Sequence, residues 1–274
     1  MILPEKTFQK QTVLITGGGT GLGKETALKF AGLGASLVIA GRRDEKLQEA
    51  AAEIRKAGAE VETFALDIRD SEKVQQMVDR AIQRFGQIDV LINNAAGNFP
   101  VRAENLSVNG WNAVVNIVLN GTFYCTHAAG LHMIKRRKGS IISIVHPQAL
   151  TSGPGNVHSV SAKAGVIAMS RTLAVEWARY NIRVNTVAPG PFRSEGTDRN
   201  LWPSDEIRAK LTAEVPLGRF GTASEVADSI CYLASDYASW VTGHMLVIDG
   251  GWSLNSEGFL DLIPEETQRR KDTK

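Results

Sequence analysis

The chain has 274 residues, and 31 Lys plus Arg against 29 Asp plus Glu leave a formal net charge of +2. That balance excludes the basic excess of a nucleic-acid surface. With 43% hydrophobic and 22% charged residues the composition is that of a globular chain able to bury a full core. No run approaches the ~18 consecutive apolar residues that span a bilayer, and the first residues lack the apolar stretch of a secretory signal. Cys125 and Cys231 lie far apart, in apolar surroundings and without metal-ligand spacing. The expectation is a cytoplasmic protein with no membrane insertion, no disulfide, no metal and no nucleic-acid partner.

In chain order, short apolar runs alternate with helical stretches. Strands are predicted at 12–16, 36–40, 60–65, 90–93, 140–145, 183–187 and 245–248. Helices are predicted at 21–33, 45–57, 71–85 with Ser71 as N-cap, 111–134, 161–180 and 224–235. Strands that are continuous apolar runs between helices indicate an α/β fold: a Rossmann-type, doubly wound parallel sheet with helices on both faces. No linker or repeat interrupts the pattern, so the whole chain, 1–274, reads as one domain. Its core is at about 10–255, a substrate lid at 192–216 and a C-terminal extension at 256–274.

The strongest motif is Thr16-Gly-Gly-Gly-Thr-Gly-Leu-Gly23, between the first strand and the first helix. Glycines allow the turn and let the backbone approach a pyrophosphate, while the helix N-terminus aims amides at the anion. Gly17, Gly19, Thr20, Gly21, Leu22 and Gly23 are therefore candidate cofactor contacts. At the end of the second strand, where a carboxylate would grip a ribose 2′-hydroxyl, stand Gly41, Arg42 and Arg43. No acid there repels a 2′-phosphate, a guanidinium can hold one bidentately, and Lys24 adds positive charge. The cofactor expectation is NADP(H), with Arg42 and Arg43 as contacts; the alternative is that both are solvated.

Further motifs carry a family resemblance along nearly the whole chain. They are Asp67 after the third strand, Asn93-Asn-Ala-Ala-Gly97 after the fourth, Ser159 and Lys163 as S-x-x-x-K, Pro189-Gly190 after the sixth, and Ile248-Asp-Gly-Gly251. In this order they resemble the short-chain dehydrogenase/reductase family. The resemblance implies that Asp67 and Ile68 flank the adenine and that Asn94, Ala95 and Gly97 line the cofactor. It implies also that Lys163 binds the nicotinamide ribose and that Pro189, Gly190 and Phe192 cover the nicotinamide. Assembly as a homotetramer follows from the same resemblance.

The departures narrow the branch. Ser159 stands where the family carries its proton-donating tyrosine, His146 where it carries a serine, and Val118 where it carries a helix-borne asparagine. A serine hydroxyl is a poor general acid. The 2,4-dienoyl-CoA reductases depart in this way, and the chain is similar to them at 16–24, 93–99, 117–122, 161–165, 188–191 and 236–240. That branch implies a catalytic set of Asn98, Ser159 and Lys163, with Gln148 where it often has a tyrosine. It implies acyl-CoA contacts at Arg69, Phe99 and Ser107, and at Arg199 on the lid. The reaction implied is NADPH-dependent conjugate reduction of a 2,4-dienoyl-CoA in unsaturated fatty acid β-oxidation. Asn98 would stabilise the dienolate oxygen, and Gln148 could add a second donor but cannot readily give up a proton. His146 and His158 read more simply as packed or exposed histidines. Two alternatives stand beside this reading: another enoyl or carbonyl reductase, and a catalytically silent NADPH-binding protein.

Overall fold

The apolar runs alternate sides as strands must when both faces of a sheet are covered. In β1 (Thr12–Thr16) Val13 and Ile15 enter one core and Leu14 the other; in β2 (Ser36–Gly41) Leu37 and Ile39 take the first side, Val38 and Ala40 the second. The computed structural model describes residues 3–194 and 204–254. Arg199, Gly196, Trp202, Pro203 and the 256–274 extension lie outside the described residues.

The sheet is completed by β3 (Val61–Ala65), β4 (Val90–Asn93), β5 (Gly139–Ile144), β6 (Ile182–Pro189) and β9 (Met245–Ile248). Its seven strands are all parallel, in the order β3-β2-β1-β4-β5-β6-β9. One face is covered by α1 (Gly21–Gly32), α2 (Asp44–Lys56) and α8 (Ala223–Ala234), through Phe30, Ile54 and Ile230. The other is covered by α3 (Ser71–Phe85), α4 (Val108–Val115), α5 (Gly121–Arg136) and α6 (Val157–Trp177), through Met77, Val114, Ala129 and Val166. The predicted doubly wound fold is the one found. The chain steps outward from β1 to β3 and returns to β4 on the other side of β1. This reversal opens a crevice at the carboxyl ends of the strands.

Three local expectations are corrected. Asp70, not Ser71, caps α3, accepting from the Lys73 amide at 3.1 Å. The predicted single helix 111–134 is two helices joined by a π turn at Asn116–Asn120, and it begins earlier because the Ser107 hydroxyl accepts from the Gly110 amide at 3.1 Å. α6 begins at Val157 rather than 161, closed by the Val160 amide on the Asn156 carbonyl at 2.9 Å. Its apolar residues lie all round the helix, so periodicity marked no edge. The segment read as a lid carries a helix, α7 (Asp205–Glu214), and its flanks pair as a short parallel ladder, β7 (Phe192–Arg193) with β8 (Gly221–Thr222).

Candidate active site

The glycine turn after β1 is held in place by the strand beside it. The buried Thr16 hydroxyl accepts from the amides of Asn94 and Ala95 at 3.1 and 3.0 Å. The Asn94 side chain donates to the carbonyls of Thr16 and Gly17 at 3.0 and 3.3 Å. Gly17 has φ +68°, in the left-handed region that favours glycine. A Cβ on Gly23 would lie 2.2 Å from the Gly17 carbonyl oxygen. Gly23 thus serves the close passage of helix over turn and does not itself reach the cavity wall.

Above the turn is a cavity of about 610 Å³, within the range of small-molecule sites. The ends of β3, β2, β1, β4, β5 and β6 contribute to it in sheet order. β3 supplies Asp67 and Ile68, β2 Arg42 and Arg43, and the turn Gly17, Gly19, Thr20, Gly21 and Leu22. β4 supplies Asn94, Ala95, Gly97 and Asn98, β5 His146 and Gln148, and β6 Pro189, Gly190 and Phe192. Ser159 and Lys163 enter from α6, one helical turn apart and therefore on one face.

Arg42 and Arg43 are exposed, and neither guanidinium donates a hydrogen bond among the described residues. Lys24 is not available to the cavity in the way its position suggested: its ammonium is paired with Glu53 at 3.0 Å. Asp67 is held by Arg69 in a two-pronged pair, Nε to Oδ1 at 3.0 Å and Nη2 to Oδ2 at 2.6 Å. This keeps the Asp67 carboxyl below its ordinary value, with a further contribution from Arg42. Arg69 itself, like Phe99 and Ser107, is not on the cavity wall. Ser107 is engaged as the α4 cap, and Phe99 sits edge-on against His158 at 4.6 Å.

The catalytic candidates are brought together. Lys163 is buried, and its ammonium donates to the Ile144 carbonyl at the end of β5. Burial pushes its pKa down to about 8. Ser159 is also buried. Asn98 donates through Nδ2 to Oδ1 of Asn156 at 3.1 Å, leaving one amide hydrogen; its Oδ1 is buried with no partner among the described residues. His158 is fully buried and not in the cavity, as a packed histidine.

Asn156 lies on the cavity wall and was not singled out from sequence, and His146 was read there only as a packed or exposed histidine. Asn156, which orients Asn98, follows the turn Gly153-Pro-Gly155. That turn is a helix-start signal and would have found it. His146 does line the cavity, and burial with the nearby Lys163 charge pushes its imidazole down to about 4.

The family model described as enoyl-(acyl carrier protein) reductase matches residues 17–253. A Bacillus subtilis (strain 168) protein named probable 2,4-dienoyl-CoA reductase, (2E)-enoyl-CoA-producing, is 44% identical over 254 residues, 92% of this chain and 100% of its own length. The chain belongs to the short-chain dehydrogenase/reductase family. An Arabidopsis thaliana peroxisomal 2,4-dienoyl-CoA reductase, (3E)-enoyl-CoA-producing, is 38% identical over 250 residues, 88% of this chain and 84% of its own. The 1.99 Å crystal structure of a short chain dehydrogenase from Bacillus anthracis str. 'Ames Ancestor' matches at 47% identity with a TM-score of 0.83, over 91% of this chain and 99% of that one. As a short-chain dehydrogenase/reductase the protein is an oxidoreductase, and the family works with a nicotinamide dinucleotide. The glycine turn fits that group, since it leaves backbone facing an open cavity at a helix N-terminus. No helix among the described residues is long and apolar enough to cross a membrane, and none of their His, Cys, Asp or Glu residues form a group of three or more able to hold a metal ion.

Proposed function

We propose that the protein reduces a 2,4-dienoyl-CoA to an enoyl-CoA with NADPH. The observation that carries this reading is the composition of the cavity. Ser159, Lys163 and Asn98 share it with no tyrosine among its wall residues. A site for ketone–alcohol exchange needs a strong proton donor at the carbonyl oxygen, whereas conjugate reduction needs donors that stabilise an enolate there. The naming of the Bacillus subtilis and Arabidopsis thaliana relatives supports the same substrate class.

The preference for NADPH rests on Arg42 and Arg43, two exposed guanidiniums at the end of β2 with no carboxylate between them. Bound dinucleotide supplies a hydride to the δ-carbon of the dienoyl thioester. The chain's own groups do the rest. Lys163, fixed by the Ile144 carbonyl, orients the ribose, and Asn98, fixed by Asn156, offers its free amide hydrogen to the thioester oxygen as charge collects there. A proton from water completes the reduction. Arg69, Phe99 and Ser107, which do not line the cavity, are the acyl-CoA contacts in this reading, with Arg199 in the segment outside the described residues. We also propose assembly as a homotetramer. The exposed stripe Phe123, His127 and Leu131 on α5, at helical spacing, supports self-association.

The test is consumption of NADPH with 2,4-hexadienoyl-CoA. Turnover is expected, with Asn98→Ala slower by roughly tenfold to a thousandfold, the effect of removing one oxyanion donor. Binding of NADPH without turnover of dienoyl, enoyl or keto substrates would overturn the reading in favour of a silent dinucleotide-binding protein.

A further inference from the structure

His146 sits at the end of β5, in the same cavity as Asn98, Ser159 and Lys163. Its backbone is extended, φ −149° and ψ 157°, and its carbonyl is taken by the Ala149 amide at 3.1 Å. Val145 before it is tied to β6 by its amide on the Val187 carbonyl at 2.8 Å, and the buried Pro147 follows, so the backbone that aims the ring is fixed on both sides. The ring is only half-buried and has no hydrogen-bond partner among the described residues. An imidazole on a cavity wall, anchored through its backbone and unengaged through its ring, is available to a ligand.

We propose that His146 donates a hydrogen bond to the substrate's thioester oxygen and forms with Asn98 the site that stabilises the dienolate. This deepens the dienoyl-CoA reading and rests on it. The chemistry follows from the neighbours. The Lys163 ammonium and the partial burial disfavour a second positive charge, so the ring is neutral at neutral pH. A neutral imidazole still carries one N–H, and it is a recognised electrophile for an oxyanion that forms only in the transition state. Gln148 lies on the same wall two residues further on, and its amide can donate a hydrogen bond but does not readily give up a proton. With no phenol at hand, two pre-placed N–H donors, one from Asn98 and one from His146, can lower the barrier while water supplies the proton.

The experiment compares wild type, His146→Ala and His146→Gln with NADPH and 2,4-hexadienoyl-CoA, and it has a readout besides rate. Hydrogen bonds to the carbonyl polarise a dienoyl thioester and move its ultraviolet band to longer wavelength. That band is recorded for the dienoyl-CoA bound together with NADP+, which cannot react. We expect His146→Ala to lower kcat by roughly tenfold to a thousandfold, with KM for NADPH within about threefold of wild type and a smaller red shift. His146→Gln, which restores an N–H of similar reach, should recover at least part of both. Cofactor binding, followed by tryptophan fluorescence, reports that each variant keeps its site, and His146→Gln against wild type carries the comparison if the alanine variant does not. His146→Ala with wild-type kcat and an unchanged band would overturn the inference, as would His146→Gln no better than alanine. Absence of dienoyl-CoA turnover in the wild type is a different failure, that of the proposed function itself.

Discussion

Arg42 and Lys163 put charge to opposite uses in one cavity. Arg42 is solvated and unengaged in the free protein, so its guanidinium can be spent on a 2′-phosphate at little structural cost. Arg42→Asp should therefore raise KM for NADPH by about tenfold to a hundredfold, the equivalent of one charge-assisted hydrogen bond, and bring NADH closer as a substrate. Steady-state kinetics with the two cofactors check this, and an unchanged NADPH/NADH ratio would remove Arg42 from the phosphate site. Lys163 instead carries its charge buried, and its pKa falls from 10.5 to about 8. Below pH 8 the lysine is charged in both folded and unfolded chains, and the folded state bears the full desolvation cost. Between pH 8 and 10.5 the unfolded chain holds a proton that the folded chain has released, so stability rises with pH across that window. Relative to Lys163→Met, the wild type should gain on the order of 3 kcal/mol from pH 8 to 10.5, read from denaturant melts at each pH. A flat difference would mean the amine is not desolvated.

At the scale of the element, side chains next to the helix starts decide where those helices begin. α3 illustrates it: Asp70 and Ser71 are adjacent and both good caps by composition, yet only Asp70 has extended backbone (φ −94°, ψ 99°) and accepts the Lys73 amide. Asp70→Ala is expected to lower the urea midpoint clearly and Ser71→Ala to leave it nearly unchanged. The reverse order would return the cap to Ser71. The π turn between α4 and α5 works differently. Gly121, just after it, lies so close to Ile68 that a Cβ would come within 2.7 Å of that side chain. The helix pair therefore passes tightly over the loop after β3, and Ile117 of the π turn and Ile68 of that loop both reach the cavity wall.

For the whole molecule, the sheet covers itself with helices on both faces, yet α5 leaves an apolar stripe in solvent. Phe123 is 47% and Leu131 43% exposed, with His127 between them stacked against Phe123 at 5.6 Å. Contiguous exposed apolar surface on a helix of this kind is a candidate self-association face. If the proposed tetramer forms through this face, Leu131→Glu gives a smaller species than the wild type in light scattering after size exclusion, with the secondary structure by circular dichroism unchanged. An unaltered mass would place the assembly elsewhere.

The sequence alone determined the layout, because the layout is local. Buried parallel strands must be apolar on both faces, so β1, β2, β4 and β5 stand out as continuous runs, and a glycine turn between strand and helix has few uses other than holding an anion. Arg42 and Arg43 were legible from their place after the second strand, and Asn98, Ser159 and Lys163 from the family resemblance; all five line the cavity. What only the tertiary structure decided are contacts between residues remote in sequence. Asn98 meets Asn156, 58 positions away, and Lys24 turns to Glu53 and away from the cavity. Asp67 and Arg69 show that even near neighbours can be decided by geometry, because spacing does not say whether a guanidinium faces a ligand or the carboxylate beside it. His146 is the sharpest case. Its residue type is as common in a packed core as in a site. What distinguished it from His158 was a fact no local pattern carries: one imidazole opens on the cavity beside Lys163, and the other is sealed against Phe99.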